Sequence, residues 1–309
     1  MRIVIPIILT ILCFGSAAAQ SLYKYKGENG EWVFTDRPVD GNQIAEVRNL
    51  AASSPQAKFS VSHRVVDGSV EVLASNPLHV PVEVMLRIDT IEGLEFPDPE
   101  QVMRWVVPAR EDELLLSLSV LRRATPPVFQ YRYGYLAGDP TARHDGSINY
   151  RVPYAVGANF PVTQAFPDVI THNTPDSRHA IDIAMPVGTD IFAARGGVVF
   201  DVASRNFKGG TDVRQYGQKA NVVRILHDDG TYAVYAHLNW DSIRVRPGDV
   251  VSRGQYIADS GNTGYSSGPH LHFAVVRNTG MKLESVPVAF AGKRAGTVVP
   301  ATGTSLTAY

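Results

Sequence analysis

Two histidines stand one residue apart in Ser266–Phe273, SSGPHLHF, behind a Gly-Pro turn and ahead of an apolar run. Side chains alternate along a strand. His270, His272, Ala274 and Val276 therefore share one face, and Leu271, Phe273 and Val275 share the other. The second set is a core face. The first sets two imidazoles side by side, where an ordinary core would leave their nitrogens unpaired at a cost. A shared metal or reaction centre removes that cost. Two further segments supply partners. In Thr231–Leu238, TYAVYAHL, the alternation predicts that Ala233, Tyr235 and His237 share a face. In residues 171–199, Asp182 stands between Ile181 and Ile183, and a carboxylate in an apolar strand needs a cation, a metal or several donors to stay charged. His172 and His179 lie upstream as possible co-ligands. His179 precedes Asp182 by three residues, on the opposite face of an extended strand, whereas His172 lies on a polar loop that could fold back.

These groups need scaffolding. Before Thr231–Leu238 lies Asn221–Gly230, NVVRILHDDG, whose Asp229-Gly230 is a hairpin turn, so His237 is expected to end a strand paired with the strand that contains Asn221. From about Tyr154, glycines recur between short strand-like runs, which predicts a compact, mostly antiparallel β domain over 151–290. Residues 59–150 alternate in short runs such as Val61–Val66, Val70–Leu73 and Val80–Ile88. They predict a small β-sandwich-like module, with one helix-like face near Glu111–Leu121. The lone His63, His79 and His144 there read as surface or packing residues. Residues 291–309 are rich in Gly, Ala and Thr and are expected to fray as a flexible tail.

The start of the chain bears on compartment. Arg2, the apolar run Ile3–Phe14 and Ala17-Ala18-Ala19 read as a secretory signal over residues 1–20; the run is too short to span a bilayer. The expected location is periplasmic or secreted, with no integral membrane segment after cleavage. The only cysteine, Cys13, falls in that signal, so a metal site would use His, Asp, Glu and water. Residues 21–40 carry two aromatic-rich runs around an Asn-Gly turn, a hairpin signal, and 41–58 read as a linker. The balance of 29 Lys and Arg against 30 Asp and Glu gives no electrostatic grip on nucleic acid or an anionic membrane.

Three motifs in order, AID at 180–182, YAHL at 235–238 and GPHLHF at 268–273, resemble those of the lysostaphin-type (LytM-type) zinc metallopeptidases. Connecting pieces such as MPVGTDIFAARGGVV match as well, and the likeness covers roughly 155–290. Residues 21–38 similarly resemble a short domain of unknown function found in envelope proteins. Many peptidase relatives place the first ligand four residues before the Asp, where this chain has Arg178; Thr171-His172 matches a version with the ligand further upstream. The resemblance implies Zn²⁺ held by His172, Asp182 and His272, with His179 as the alternative to His172. His237 and His270 would stay unliganded as catalytic groups, their two roles interchangeable at this point. Asn221 matches a recurrent asparagine, and Tyr235 reads as core. The implied activity is a zinc metalloendopeptidase cutting peptide bonds of peptidoglycan. Two other readings stay open: a metal-poor regulator that activates a cell-wall amidase, and a secreted endopeptidase that cleaves proteins.

Overall fold

A computed structural model describes residues 20–26, 32–35, 44–50, 58–96, 102–121 and 126–309. The signal expected over residues 1–20 lies, but for Gln20, outside the described residues, as does the Asn29-Gly30 turn. No helix among the described residues is long and apolar enough to cross a membrane. The chain divides into two compact units, 1–56 and 57–309. In the first, the antiparallel strands Gln20–Lys26 and Trp32–Thr35 are joined by a third, Ile44–Leu50, which pairs with Gln20–Lys26. That third strand falls in the span expected to be a linker.

The regular structure of the second unit is strand apart from two single helical turns, Val213–Tyr216 and Lys293–Ala295, among the described residues. Its upstream part holds two three-stranded antiparallel sheets. Ser60–Val66, Ser69–Ser75 and Asp112–Ser119 make one; Val102–Val107, Val82–Glu92 and Val128–Ala137 make the other. The helix-like face near Glu111–Leu121 is therefore a strand. Its buried leucines, Leu115 and Leu118, stand three apart because a bulge in the pairing with Ser69–Ser75 inserts Leu115 between the paired Leu114 and Leu116, which breaks the alternation and gives the segment its helix-like spacing.

Downstream, nine strands form one antiparallel sheet. Its order runs Val250–Val251, Gly197–Ala203, Val222–Leu226, Tyr232–Ala236, His270–Asn278, Ile181–Ala184, Asn159–Gln164 and Ser305–Thr307, and Leu283–Ser285 also pairs with His270–Asn278. One face buries Ile181, Ile183, Ile225, Tyr235, Leu271, Phe273 and Val275 in the main core. The other face buries Ala180, Phe200, Tyr232, Ala274 and Val276 beneath Val80 of the upstream part. The alternation expected of His270–Val276 holds on both faces.

Two consequences follow for how the parts are joined. Residues 59–150 and 151–309 share buried surface, so position 150 does not separate compact units. Glu83, 3% exposed, accepts from Asn278 Nδ2 and from the Met281 N–H, both at 2.7 Å. The segment expected to fray instead adds the strand Ser305–Thr307 to the sheet, burying Leu306 at 2% exposure. Its small residues hide a tertiary role: the Tyr154 hydroxyl donates to the Leu306 carbonyl.

One buried histidine makes the fold acid-sensitive. His227 donates from Nδ1 to the Gly196 carbonyl at 2.9 Å, and its buried Nε2 has no hydrogen-bond partner. Burial pushes its pKa down to about 4, from the ordinary histidine value of about 6.5. The fold accepts the neutral ring, so this contribution is complete above pH 6.5 and is lost as pH falls from there towards 4. The span is worth up to about 3 kcal/mol. Urea unfolding of wild type and His227→Gln at pH 7 and pH 4 is expected to show a shallower pH dependence in the variant. Parallel pH profiles would refute the assignment.

Candidate metal centre

The site is a row across the sheet. Asp182 sits directly opposite His272 on the neighbouring strand, and His272 sits opposite Ala236 on the next. Directly opposite residues share a face. Ile181 and Ile183 enter the core, so Asp182 must face the other way, alongside His272 and into a cleft of about 340 Å³. His172 closes over it from the loop that precedes Ala180. Its Nδ1 donates to the Ala180 carbonyl at 3.2 Å, and its Nε2 lies 3.2 Å from Asp182 Oδ2. His272 Nδ1 lies 2.9 Å from Asp182 Oδ1. One ligand-type atom from each of His172, Asp182 and His272 lies within 4.8 Å of the other two.

The donor set fits a divalent cation. A neutral His172 that gives its Nδ1 proton to Ala180 turns a lone pair towards Oδ2, itself an acceptor. Two acceptors at that spacing require a cation between them, a proton or a metal. Burial resists ionisation of Asp182, yet hydrogen bonds and positive charge from the His172 and His272 imidazoles, when they carry the protons a cation would replace, prevail and hold its pKa well below the usual carboxylate range. Tying one imidazole nitrogen to a backbone carbonyl is also how metal-ligating histidines are oriented. Two imidazoles and a carboxylate suit zinc, and three protein ligands leave a position open.

His237 and His270 flank this group without joining it. Their rings lie 4.5 Å apart, centroid to centroid, and His237 lies 5.9 Å from His272. His270 Nδ1 donates to the Gly268 carbonyl at 2.8 Å, and its Nε2 lies 3.8 Å from Asp182 Oδ1. His237 Nδ1 donates to the Thr263 carbonyl at 2.7 Å. In both rings the carbonyl fixes the proton on Nδ1 and leaves Nε2 as an acceptor. Burial, with His270 and His272 alongside, pushes the His237 pKa down to about 4.

The face of His237 differs from the alternation. Ala233 and Tyr235 point into the main core, but the strand ends at Ala236 and His237 takes φ 61°. That left-handed residue swings the ring out of the core and into the cleft, at a backbone cost seldom met by non-glycine residues. Gly264 makes the receiving carbonyl possible. It has φ 82°, and a Cβ there would come within 2.6 Å of the Ala220 nitrogen.

Of the other sequence candidates, His179 stays outside the cluster. Its ring packs on Phe166 at 4.7 Å and its N–H donates to Ser285 Oγ. Fully buried Asn221 is a staple, donating to the carbonyls of Asn206 and Leu238 and accepting from the Asn206 N–H. The buried Tyr235 hydroxyl accepts from the Ala194 N–H at 2.7 Å. The sequence reading missed Gln164, whose Nε2 donates to Asp182 Oδ2 at 2.6 Å.

Residues 176–284 match the model of Peptidase family M23, a span that contains Asp182, His237, His270 and His272 and begins just after His172. The chain carries an M23 peptidase domain. Residues 9–58 match the domain of unknown function DUF4124. Lysostaphin of Staphylococcus staphylolyticus is 32% identical over 133 residues, 41% of this chain and 25% of that protein. The peptidoglycan DD-endopeptidase ShyA of Vibrio cholerae is 38% identical over 95 residues, 31% of this chain and 19% of that protein. The chain thus spans a quarter or less of these relatives. Among solved structures, the catalytic domain of the prophage-encoded M23 protein EnpA from Enterococcus faecalis is 29% identical, covering 43% of this chain and 92% of that one, with a TM-score of 0.33.

Proposed function

We propose that the protein is a zinc-dependent endopeptidase of the cell envelope that hydrolyses peptide bonds in the stem peptides or crosslinks of peptidoglycan. The observation that carries this reading is the pairing of a three-ligand cluster with two imidazoles whose Nε2 atoms are held as acceptors beside it. Relatives named as a peptidoglycan endopeptidase and as lysostaphin support the substrate class.

In this reading His172 Nε2, an Asp182 oxygen and His272 Nδ1 hold the ion. Bound there, zinc would polarise the scissile carbonyl and lower the pKa of water to about 7. The chain's own groups do the rest. His237 and His270 receive protons at Nε2, and whichever ring takes water's proton becomes the donor that can pass it to the leaving amine. The Thr263 and Gly268 carbonyls stabilise that imidazolium by keeping Nδ1–H bound. Among the described residues of 58–150 none lines the cleft.

Zinc-loaded protein incubated with purified sacculi is expected to release uncrosslinked muropeptides. An unchanged muropeptide profile sinks the peptidoglycan assignment, and a fully active metal-stripped sample sinks zinc dependence.

A further inference from the structure

Gln164 belongs to none of the motifs, yet the backbone is bent to aim it. In the pairing of Asn159–Gln164 with Ile181–Ala184, Val162 faces Ile183, and a bulge then brings Gln164, instead of Thr163, opposite Asp182. A bulge of this kind re-aims a side chain. The two ends of the Gln164 amide do different work. Nε2 donates to Asp182 Oδ2 at 2.6 Å and lies 3.0 Å from Thr171 Oγ1. Oε1 accepts from the backbone N–H groups of Ile170 and Thr171, each at 2.8 Å, and from Thr171 Oγ1 at 3.2 Å. Thr171 immediately precedes His172. One amide therefore joins the loop carrying one candidate ligand to the carboxylate of another.

A purely local role does not account for this. The turn after Gln164 has its own clasp: Thr302 Oγ1 accepts from the Ala165 N–H at 2.8 Å and lies 2.8 Å from the Asp168 carbonyl. The Gln164 donor goes to Asp182 instead. By occupying one lone pair of Oδ2, it sets the rotation of the carboxylate, whose other lone pairs then face His172 Nε2 and His272 Nδ1.

We infer that Gln164 is a positioning residue for the metal centre, gripping the His172 loop with its carbonyl end and orienting Asp182 with its amide end. The inference rests on the reading that His172, Asp182 and His272 hold a divalent ion. The side-chain chemistry separates the two tasks. Gln164→Met keeps the volume and loses both. Gln164→Glu keeps an acceptor for the two loop N–H groups but has no donor for Asp182.

The test uses the full chain, metal-stripped and titrated with Zn²⁺ against a chelating dye, and with Co²⁺ by visible absorption. Gln164→Met is expected to bind zinc about 10–100-fold more weakly, the usual effect of removing an outer partner of a metal ligand. It should also shift the cobalt bands and speed amide exchange at Ile170 and Thr171. Gln164→Glu is expected to shift the cobalt bands while keeping those two amides protected, which keeps the inference testable should the Met variant fail to fold. Zinc affinities within twofold of wild type, with superimposable cobalt spectra in both variants, overturn it even if the variants melt earlier. A wild-type chain that binds neither ion overturns the metal reading and this inference with it. Tight wild-type binding beside unchanged variants overturns this inference alone.

Discussion

Replacing His270 by alanine is expected to lower turnover on sacculi by about 10²–10⁴-fold while zinc content stays at the wild-type level. The same holds for His237. The reason is the division of labour among the imidazoles. His270 and His237 lie outside the cluster of His172, Asp182 and His272, so under the proposed function their loss removes proton acceptors and leaves the candidate ligand set whole. The contrasting variant is Asp182→Ala, which should abolish activity and metal binding together. It removes the carboxylate that His172 and His272 both contact. Turnover and metal content measured on the three variants separate the roles. A His270→Ala chain that keeps full activity, or loses zinc along with it, would overturn the assignment.

The second large effect concerns the upstream part. Expressed alone, residues 150–309 are expected to be insoluble or to melt well below the full chain, and not to gain activity through release of a cover. Removal of residues 57–149 strips Val80 from Ala180, Phe200, Tyr232, Ala274 and Val276. It also takes the Glu83 carboxylate and the Gly138 carbonyl away from Asn278, which is fully buried. Losing the burial of one valine costs about 2 kcal/mol, and stranding a buried amide costs about 1–3 kcal/mol more. Exposing the other apolar side chains adds to this, against a total stability of about 5–15 kcal/mol for a typical domain. Calorimetry on the two chains decides the matter. A truncated chain with the full-length melting temperature would show that the shared surface contributes little. Glu83→Ala in the full chain offers a milder test of the same surface, with a lower melting temperature expected.

What could be read from the sequence was whatever depends on strand period alone. Leu271, Phe273 and Val275 go to one core, and His270, His272, Ala274 and Val276 to the other face, as alternation requires. Asp182 between two isoleucines was legible for the same reason. The unread parts each depend on a departure from that period. His237 reaches the cleft through a left-handed residue after the strand end. Gln164 reaches Asp182 through a bulge. His172, already read as lying on a loop able to fold back, is brought to the Asp182 carboxylate by that loop and not by strand period. The strand Ser305–Thr307 is hidden by its small residues, because its pairing partner lies more than 140 positions upstream.

The transverse row has a bearing on faulty copies of the protein. Gln164, Asp182 and His272 are neighbours only in one alignment of three strands. A slip by a single position would turn the displaced side chain to the opposite side of its strand. Errors in assembly should therefore yield inert molecules, with few intermediate grades of weak or indiscriminate cutting. If the chain acts on the cell's own wall as proposed, such failure is the safer kind.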